Sequence, residues 1–318
     1  MKLTLQQQVK LELEAAVVRS YVQLEMEFTL RDIAEEYLQQ VNQRLSIARR
    51  SLVAGITTQM DVSEMETPLP MARAQIDGID ERISLLKNQL AALTGQGPGA
   101  GDSIMRPALT LEAAIGLPDQ LPANLVGRRP DVLAYRWRVE AAQQSIEGAK
   151  AAFYPNINLM AFVGFQALGF GQLISSAASI AGVGPAISLL IFDGGRRRGN
   201  LSAKTANYDI AVENYNNVLV RALQDVSDQL VILQSNAKQL GEARQAFANA
   251  LKTYQLAQTS YHAGLSNYQH VLDMHVVVIK QKEAVAQLQA IRLDTHAGLM
   301  RALGGGTIDK DMTTTNKP

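Results

Sequence analysis

The sequence predicts a mainly α-helical protein with a small β part, in which long coiled-coil helical hairpins carry two β-strands. Apolar residues recur with coiled-coil spacing along segments far longer than an ordinary helix. Two runs of about ten residues alternate apolar and less apolar side chains, as β-strands do. The helical regions also look like copies, because Val17 and Leu24 recur 209 positions later as Val226 and Leu233.

The composition narrows the possible functions. The 318 residues include 30 basic and 30 acidic side chains, and this net charge of zero argues against a nucleic-acid binder. The count of cysteines is 0, so disulfides, thiolate metal sites and cysteine nucleophiles are excluded. The chain has neither a phosphate-binding glycine loop nor a paired-carboxylate motif, and its 4 histidines are scattered. We therefore expect no enzyme and no cofactor.

Residues 1–95 are predicted to form the first helical hairpin, with its turn at Ala54-Gly55. Pro68 and Pro70 fall inside the return helix, where each interior proline costs roughly 3 kcal/mol. The sequence leaves open whether this helix is kinked at the prolines or whether the first copy of the repeat has lost the straight helix of the second. Residues 96–127 are expected to be a linker.

Residues 128–306 are predicted to form a complete second repeat, followed by a disordered tail over 307–318. The predicted elements are a helix, strands at about 155–166 and 183–192, a long helix over 199–262 and a return helix over 266–303.

The long helix should be on the order of 90 Å long at about 1.5 Å per residue. Its predicted coiled-coil seam is Leu219, Leu223, Val226, Leu230, Leu233, Ala237, Leu240, Arg244, Phe247, Leu251, Tyr254, Gln258 and Tyr261. Ala263-Gly264 forms the predicted turn. With one extra residue in the second copy, Leu93 aligns with Leu303.

The two predicted strands suit a membrane barrel. Ile157, Leu159 and Val163 share one face of the first run, and Val183 and Ile187 share one face of the second. About ten residues is the length of one transmembrane β-strand, although a ribbon packed on the helical bundle fits the pattern equally well. Two strands cannot close a barrel, so a membrane barrel would need several chains.

Four short motifs occur in order along the second repeat. They are Gly127-Arg128-Arg129-Pro130-Asp131-Val132, Ala151-Ala152-Phe153-Tyr154-Pro155, Ile191-Phe192-Asp193-Gly194-Gly195-Arg196 and Tyr261-His262-Ala263-Gly264. Together with the coiled-coil repeat, they resemble the outer-membrane factor family, the TolC-like and NodT-like ducts of tripartite efflux pumps. The resemblance covers essentially the whole chain.

The resemblance implies a homotrimer in the cell outer membrane, in contact with lipid. Each protomer would give four strands to a shared barrel and helices to a periplasmic tunnel. The hairpin tips would meet a periplasmic adaptor, the membrane fusion protein, which links the duct to an inner-membrane efflux pump. Drugs or other small toxic compounds would pass unchanged. A periplasmic coiled-coil scaffold without a barrel is the alternative, and charged substitutions at Leu159 or Leu189 would separate the two.

The sequence departs from the family at its start. Residues 128–221 precede the hairpin of the second repeat, and subtracting 209 from 128 gives a negative position. We therefore expect a shortened chain of doubtful transport competence, whose first strand pair, signal sequence and lipid-acceptor cysteine would lie upstream.

The resemblance also points to two groups of residues near the hairpin tips. Asp273 and Gln269, with Asp61 and Glu64 on the other hairpin, match the region that constricts the tunnel, although ordinary solvated side chains fit as well. Ala54, Gly55, Ala263 and Gly264 are turn formers, and adaptor docking is their possible added role.

Asp193, Gly194 and Gly195 are predicted to turn the second strand into the long helix. The run Arg196-Arg197-Arg198 is either a solvated cluster or a contact for anionic lipid headgroups. The set His270, Met274, His275, Met60 and Met65 resembles a soft-metal site in composition. His270 and His275 are five positions apart and so do not share a helix face, which favours packing and surface roles.

Overall fold

The computed structural model describes residues 2–112, 127, 129–165 and 179–305. The elements are α1 (Lys2–Val53), α2 (Gln59–Glu66), α3 (Pro68–Leu93), a 3-10 helix (Pro98–Ser103), α4 (Pro130–Ala151), β1 (Asn156–Phe165), β2 (Ser179–Ser188), α5 (Arg196–His262) and α6 (Tyr268–Ala302). The predicted fold class is confirmed. The parts of the linker, strand loop and tail at 113–126, 166–178 and 306–318 lie outside the described residues.

The chain divides into two compact units. One comprises residues 131–220, with α4, the strand pair and the start of α5. The described residues of the other lie in 2–130 and 221–305 and include the first helical hairpin and the second from Arg221 onward. Among the described helices, none combines the length and hydrophobicity required to cross a membrane.

The helix ends follow the internal repeat. The offset of 209 between the copies holds at three helix ends: Val53 and His262, Gln59 and Tyr268, and Leu93 and Ala302. The extra residue that the sequence analysis placed near Leu93 is therefore wrong. Positive-φ glycines at 95 and 304 end the two return helices at the same offset.

The prolines of the first hairpin interrupt hydrogen bonding without bending the local backbone away from helix. Thr67 separates α2 from α3 and keeps right-handed helical angles, φ −58° and ψ −44°. Pro68 is the first residue of α3, where its missing N–H costs least. The Thr67 hydroxyl donates to the carbonyl of Ser63 at 3.2 Å.

Helix α1 is central to the larger unit. On one side Leu24, Leu30 and Ala34 pack against Ile79, Ile83 and Leu90 of α3, and on another Ile33 packs against Ile279 and Ala286 of α6. Burial of a Leu or Ile side chain contributes about 2–3 kcal/mol, so these two contacts fix α1 between its own return helix and the return helix of the other repeat.

The predicted seam of α5 is only half right. Leu233 and Leu240 are buried as predicted, whereas Leu251 is exposed and its neighbour Ala250 is buried instead. Asn236 is also buried, and its Nδ2 donates to the carbonyl of Leu288 on α6 at 3.0 Å. The coiled-coil spacing is present, but small or polar side chains replace large apolar ones at every second seam position, and this pattern is invisible to a count of apolar residues.

The second strand was predicted four residues too late, at 183–192. Strand β2 covers Ser179–Ser188 and pairs antiparallel with β1, from Phe165↔Ser179 to Asn156↔Ser188. Residues 189–192 have no strand opposite them, because Pro155 and the end of α4 precede β1.

Candidate functional site

The β1–β2 ribbon exposes a continuous apolar face. Its register pairs Ile157 with Ile187 and Ala161 with Val183, so the apolar residues of both strands share one side. Leu159 on this face is 77% exposed. In the described part of the chain no other element packs against it, and this face is the first candidate for a functional surface.

The opposite face of the ribbon is less apolar and contains glycine. Phe162 lies over Gly182, where an added Cβ would come within 2.6 Å of its ring. The other pairs on this side include Asn158↔Ala186 and Met160↔Gly184. The alternation that the sequence predicts is therefore present across both strands.

The segment that follows β2 turns into α5 at the three predicted residues. Gly194 and Gly195 have φ angles of 62° and 87°, which favour glycine. The Asp193 carboxylate accepts hydrogen bonds from the N–H groups of Gly195 and Arg197, both at 3.1 Å. The Arg197 guanidinium beside it holds the pKa of Asp193 below its usual value.

Arg197 is the structural member of the arginine run. Its Nε donates to Asp193 at 2.8 Å, its Nη1 donates to the carbonyl of Ala152 at 2.9 Å, and its Nη2 donates to the carbonyl of Leu190. The guanidinium also lies over the ring of Phe153. Arg197 therefore joins the end of α4, the exit of β2 and the start of α5, and only Arg196 and Arg198 remain exposed.

Each hairpin tip is a Schellman turn built on the predicted glycine. Gly55 and Gly264 have φ angles of 69° and 73°. The next residues, Ile56 and Leu265, donate their N–H groups back to the carbonyls of Ser51 and Ser260 at 2.8 and 2.9 Å.

The return helices are capped in the same way. The side chains of Thr58 and Asn267 accept hydrogen bonds from the N–H groups of Asp61 and His270. Ala54 and Ala263 precede the glycines, and the tip residues Ile56 and Leu265 are both exposed.

A hydrogen-bonded group joins the two hairpins where the constriction was predicted. Arg44 of α1 donates through Nη2 to the carboxylate of Asp273 on α6 at 2.5 Å. With its amide oxygen toward α1, Gln269 accepts from Nε of the same guanidinium at 2.9 Å and from Nη2 at 3.1 Å. Sequence reasoning found Asp273 and Gln269 but missed Arg44, which lies 229 residues away and matches no motif.

Further polar contacts extend this joint along α1 and α6. Glu36 pairs with Nε2 of His275 at 3.2 Å and with Nζ of Lys282 at 2.8 Å. Gln43 donates to the hydroxyl of Tyr268 at 2.9 Å.

The equivalent carboxylates of the first hairpin have different surroundings. Asp61 accepts hydrogen bonds from the Thr57 hydroxyl, the Thr58 N–H and the Thr58 hydroxyl, and these lower its pKa from 3.8 to about 2. It therefore closes the capping box at the start of α2. Glu64, nearly one turn later, is exposed.

The histidines and methionines near the tips do not converge. His275 is engaged by Glu36 and stacks on Tyr254 with ring centroids 4.6 Å apart, whereas His270 and Met60 are exposed. Within the described ranges, no three His, Cys, Asp or Glu side chains are grouped so that they could hold a metal ion.

Comparison with known proteins gives one family. The family model described as outer membrane efflux protein matches residues 121–305. The chain is 48% identical over 203 residues to the fusaric acid resistance protein FusA of Burkholderia cepacia, covering 62% of this chain and 38% of FusA. It is 30% identical over 301 residues to the multidrug resistance outer membrane protein MdtQ of Escherichia coli O6:H1, covering 94% of this chain and 62% of MdtQ.

Solved structures show the same fold. The outer membrane protein VceC of Vibrio cholerae matches with a TM-score of 0.82 and 33% identity, over 93% of this chain and 70% of VceC. The chain spans less than two thirds of the length of FusA and of MdtQ.

Proposed function

Because the chain belongs to the outer membrane efflux protein family, we propose that it is a channel subunit through which small toxic compounds leave the cell unchanged. The observation that carries this proposal is the β1–β2 ribbon, two 10-residue strands with an exposed apolar face. Strands of this length span a bilayer when tilted, and lipid stabilises an apolar face that water does not.

The ribbon also argues for assembly of several copies. Among the described residues, β1 and β2 pair only with each other, so each keeps one open edge. Open edges are not tolerated in hydrocarbon, because their N–H and C=O groups find no partner there. We therefore propose a homotrimer in the outer membrane whose ribbons complete one barrel.

The internal repeat supports a ring of copies in the helical part. Val22 of α1 is 5% exposed and packs with Ala290 and Leu293 of α6, whereas its repeat counterpart Val231 on α5 is 61% exposed. Within one chain, α1 packs against α6. The repeat relates α1 to α5 and α6 to α3, so α5 would make the same contact with α3 of a neighbouring copy. Such head-to-tail contacts close into a ring when the rotation permits.

The joint of Arg44, Asp273 and Gln269 is proposed to hold the tunnel entrance closed. It ties the second hairpin to the first by charge-assisted hydrogen bonds, which must break if the hairpins move apart. Asp61 and Glu64 are proposed to add negative charge at the same level.

The hairpin tips are proposed to contact a periplasmic adaptor that leads to an inner-membrane pump. Ala54, Gly55, Ala263 and Gly264 form the tight turns, and these turns leave the apolar side chains of Ile56 and Leu265 exposed. A helical adaptor tip could bury these two side chains.

The name of FusA gives the first compound to test. FusA is called a fusaric acid resistance protein, so fusaric acid is the compound with which we would begin transport measurements on this chain.

A vesicle experiment tests the channel proposal. The chain is inserted into neutral phosphatidylcholine vesicles that contain a small dye, and dye release is followed. Leu159→Asp places a charge on the apolar face and should strongly reduce insertion and release, since a charged side chain on the lipid face destabilises a barrel strand. Met160→Asp is the matched control, because Met160 is adjacent, is 63% exposed and points to the other face.

The two variants separate the channel from a helical scaffold. A channel requires that Leu159→Asp fail while Met160→Asp still inserts. If both variants and the unchanged chain assemble equally well without lipid and release no dye, the ribbon is not a membrane wall and the chain is a scaffold.

A further inference from the structure

A second exposed surface lies at the end of the ribbon. We call it the junction patch and define it by Tyr154, Ile191, Phe192, Arg196 and Arg198. Ile191 and Phe192 are 92% and 87% exposed, and Tyr154 is also exposed. Tyr154 lies two residues before β1, and Ile191 and Phe192 lie three and four residues after β2, so the patch adjoins the end of the ribbon.

The two arginines of the patch are free to bind an anion. Within the described residues, the side chains of Arg196 and Arg198 form no hydrogen bond or ion pair, in contrast to the side chain of Arg197 between them. The nearby carboxylate of Asp193 is already paired with Arg197, at 2.8 Å.

Arg198 also borders a recess. The recess has a volume of about 430 Å³, and its lining includes Arg198, Phe153, Phe192, Arg197 and Asp193, whose carboxylate is paired with Arg197. It therefore combines aromatic rings with guanidinium groups, a combination that suits a group with a phosphate at one end and hydrocarbon at the other.

We propose that the junction patch binds the headgroup phosphates of anionic glycerophospholipids, with Arg196 and Arg198 as the phosphate contacts. Tyr154 and Phe192 lie at the boundary between headgroup and acyl chain, and the acyl chains cover the apolar face of the ribbon. This proposal rests on the proposed membrane position of the ribbon.

Charge and continuity favour lipid over other anionic partners. A phosphate-bearing protein or nucleic acid would be attracted by the arginines but would leave Ile191 and Phe192 in water. A phospholipid layer presents phosphate and hydrocarbon in adjacent planes, which matches the order of arginines, aromatic residues and apolar strand face.

The test measures partition of the full chain onto two kinds of vesicle, phosphatidylcholine alone and phosphatidylcholine with phosphatidylglycerol. Each arginine near an anionic surface contributes about fivefold in affinity. The affinity of the double variant Arg196→Gln/Arg198→Gln should therefore fall about thirtyfold for the anionic vesicles and change little for the neutral ones. Circular dichroism checks that the helices are retained.

The matched control is Arg221→Gln/Arg244→Gln, which removes the same charge from exposed positions of the same helix. This control should keep nearly all of the gain in affinity that phosphatidylglycerol provides. An equal loss in the control would mean that only net charge matters and would overturn the proposal. Inorganic phosphate at matched ionic strength should not displace the chain; displacement would show a site for free phosphate instead.

The result also separates this proposal from the channel. Binding to neutral vesicles without any gain from phosphatidylglycerol would overturn the lipid contact alone. A chain that binds neither vesicle would overturn the membrane position of the ribbon, and the junction patch with it.

Discussion

Breaking the joint between Arg44 and Asp273 should loosen the start of α6. The pair is partly buried, with the side chain of Arg44 23% exposed and that of Asp273 39% exposed. Fully exposed pairs contribute about 0.2–1 kcal/mol, and charge-assisted hydrogen bonds in protected sites about 1.5–3 kcal/mol. We therefore expect the Asp273 contact to contribute about 1 kcal/mol.

The two single substitutions should differ. Asp273→Ala removes one contact and leaves Arg44 bonded to Gln269, so the opening equilibrium of α6 should rise about fivefold. Arg44→Ala removes both contacts, costs about 2 kcal/mol and should raise the equilibrium about thirtyfold. The double variant should resemble Arg44→Ala, because its second substitution removes nothing further.

Amide hydrogen exchange of residues 268–282, followed by mass spectrometry, measures these changes as local opening. Arg49→Ala is the control: it breaks a pair with Glu66 of similar length, 2.7 Å, whose side chains are 60% and 44% exposed. Its effect on α6 should be negligible. If the effects of Arg44→Ala and Asp273→Ala simply add in the double variant, the two residues are not coupled and the proposed closure is wrong.

Four further substitutions test three local features. Gly264→Ala should destabilise the second hairpin by about 1 kcal/mol because of its φ of 73°, whereas Gly241→Ala inside α5 should stabilise by about the same amount in thermal unfolding. The pKa of Asp61, lowered to about 2, implies that its capping contribution is present above about pH 4 and is lost as the pH falls towards 2; carboxyl NMR titration checks this, and Asp61→Asn should remove the pH dependence. Arg197→Ala removes the donor to the Ala152 carbonyl and should cost about 2 kcal/mol. The N–H groups of Phe153 and Tyr154, which close the turn around Ala152, should then exchange faster, and unchanged exchange there would contradict the anchoring role.

The sequence predicts the helical architecture well because helix spacing and turn chemistry are local, and the repeat presents the same pattern twice. An Ala-Gly pair after a long apolar pattern requires a positive φ, and Gly55 and Gly264 adopt it. The offset of 209 then carries one hairpin onto the other.

Contacts between distant elements could not be predicted. Strand β2 was misplaced because its limits are set by β1 and Pro155 rather than by its own alternation. The seam of α5 was misjudged at Asn236, whose amide hydrogen-bonds to α6. Arg44 carries no motif, and its only sequence signal is a charge between the buried positions Val41 and Leu45.

In the proposed ring, the repeat predicts that neighbouring copies separate more easily than the helices within one chain. The α6 residues that pack on α1 inside the chain are apolar: Ile279, Ala286, Ala290 and Leu293. Their counterparts on α3, 209 positions earlier, are exposed and mostly polar: Pro70, Asp77, Glu81 and Ser84. The contact within a chain therefore has hydrophobic burial that the corresponding contact in the proposed ring would lack, and the latter would depend more on charge and on salt. Rearrangement of a ring should accordingly occur first between α5 and α3 of adjacent copies, and only then at the joint between α1 and α6.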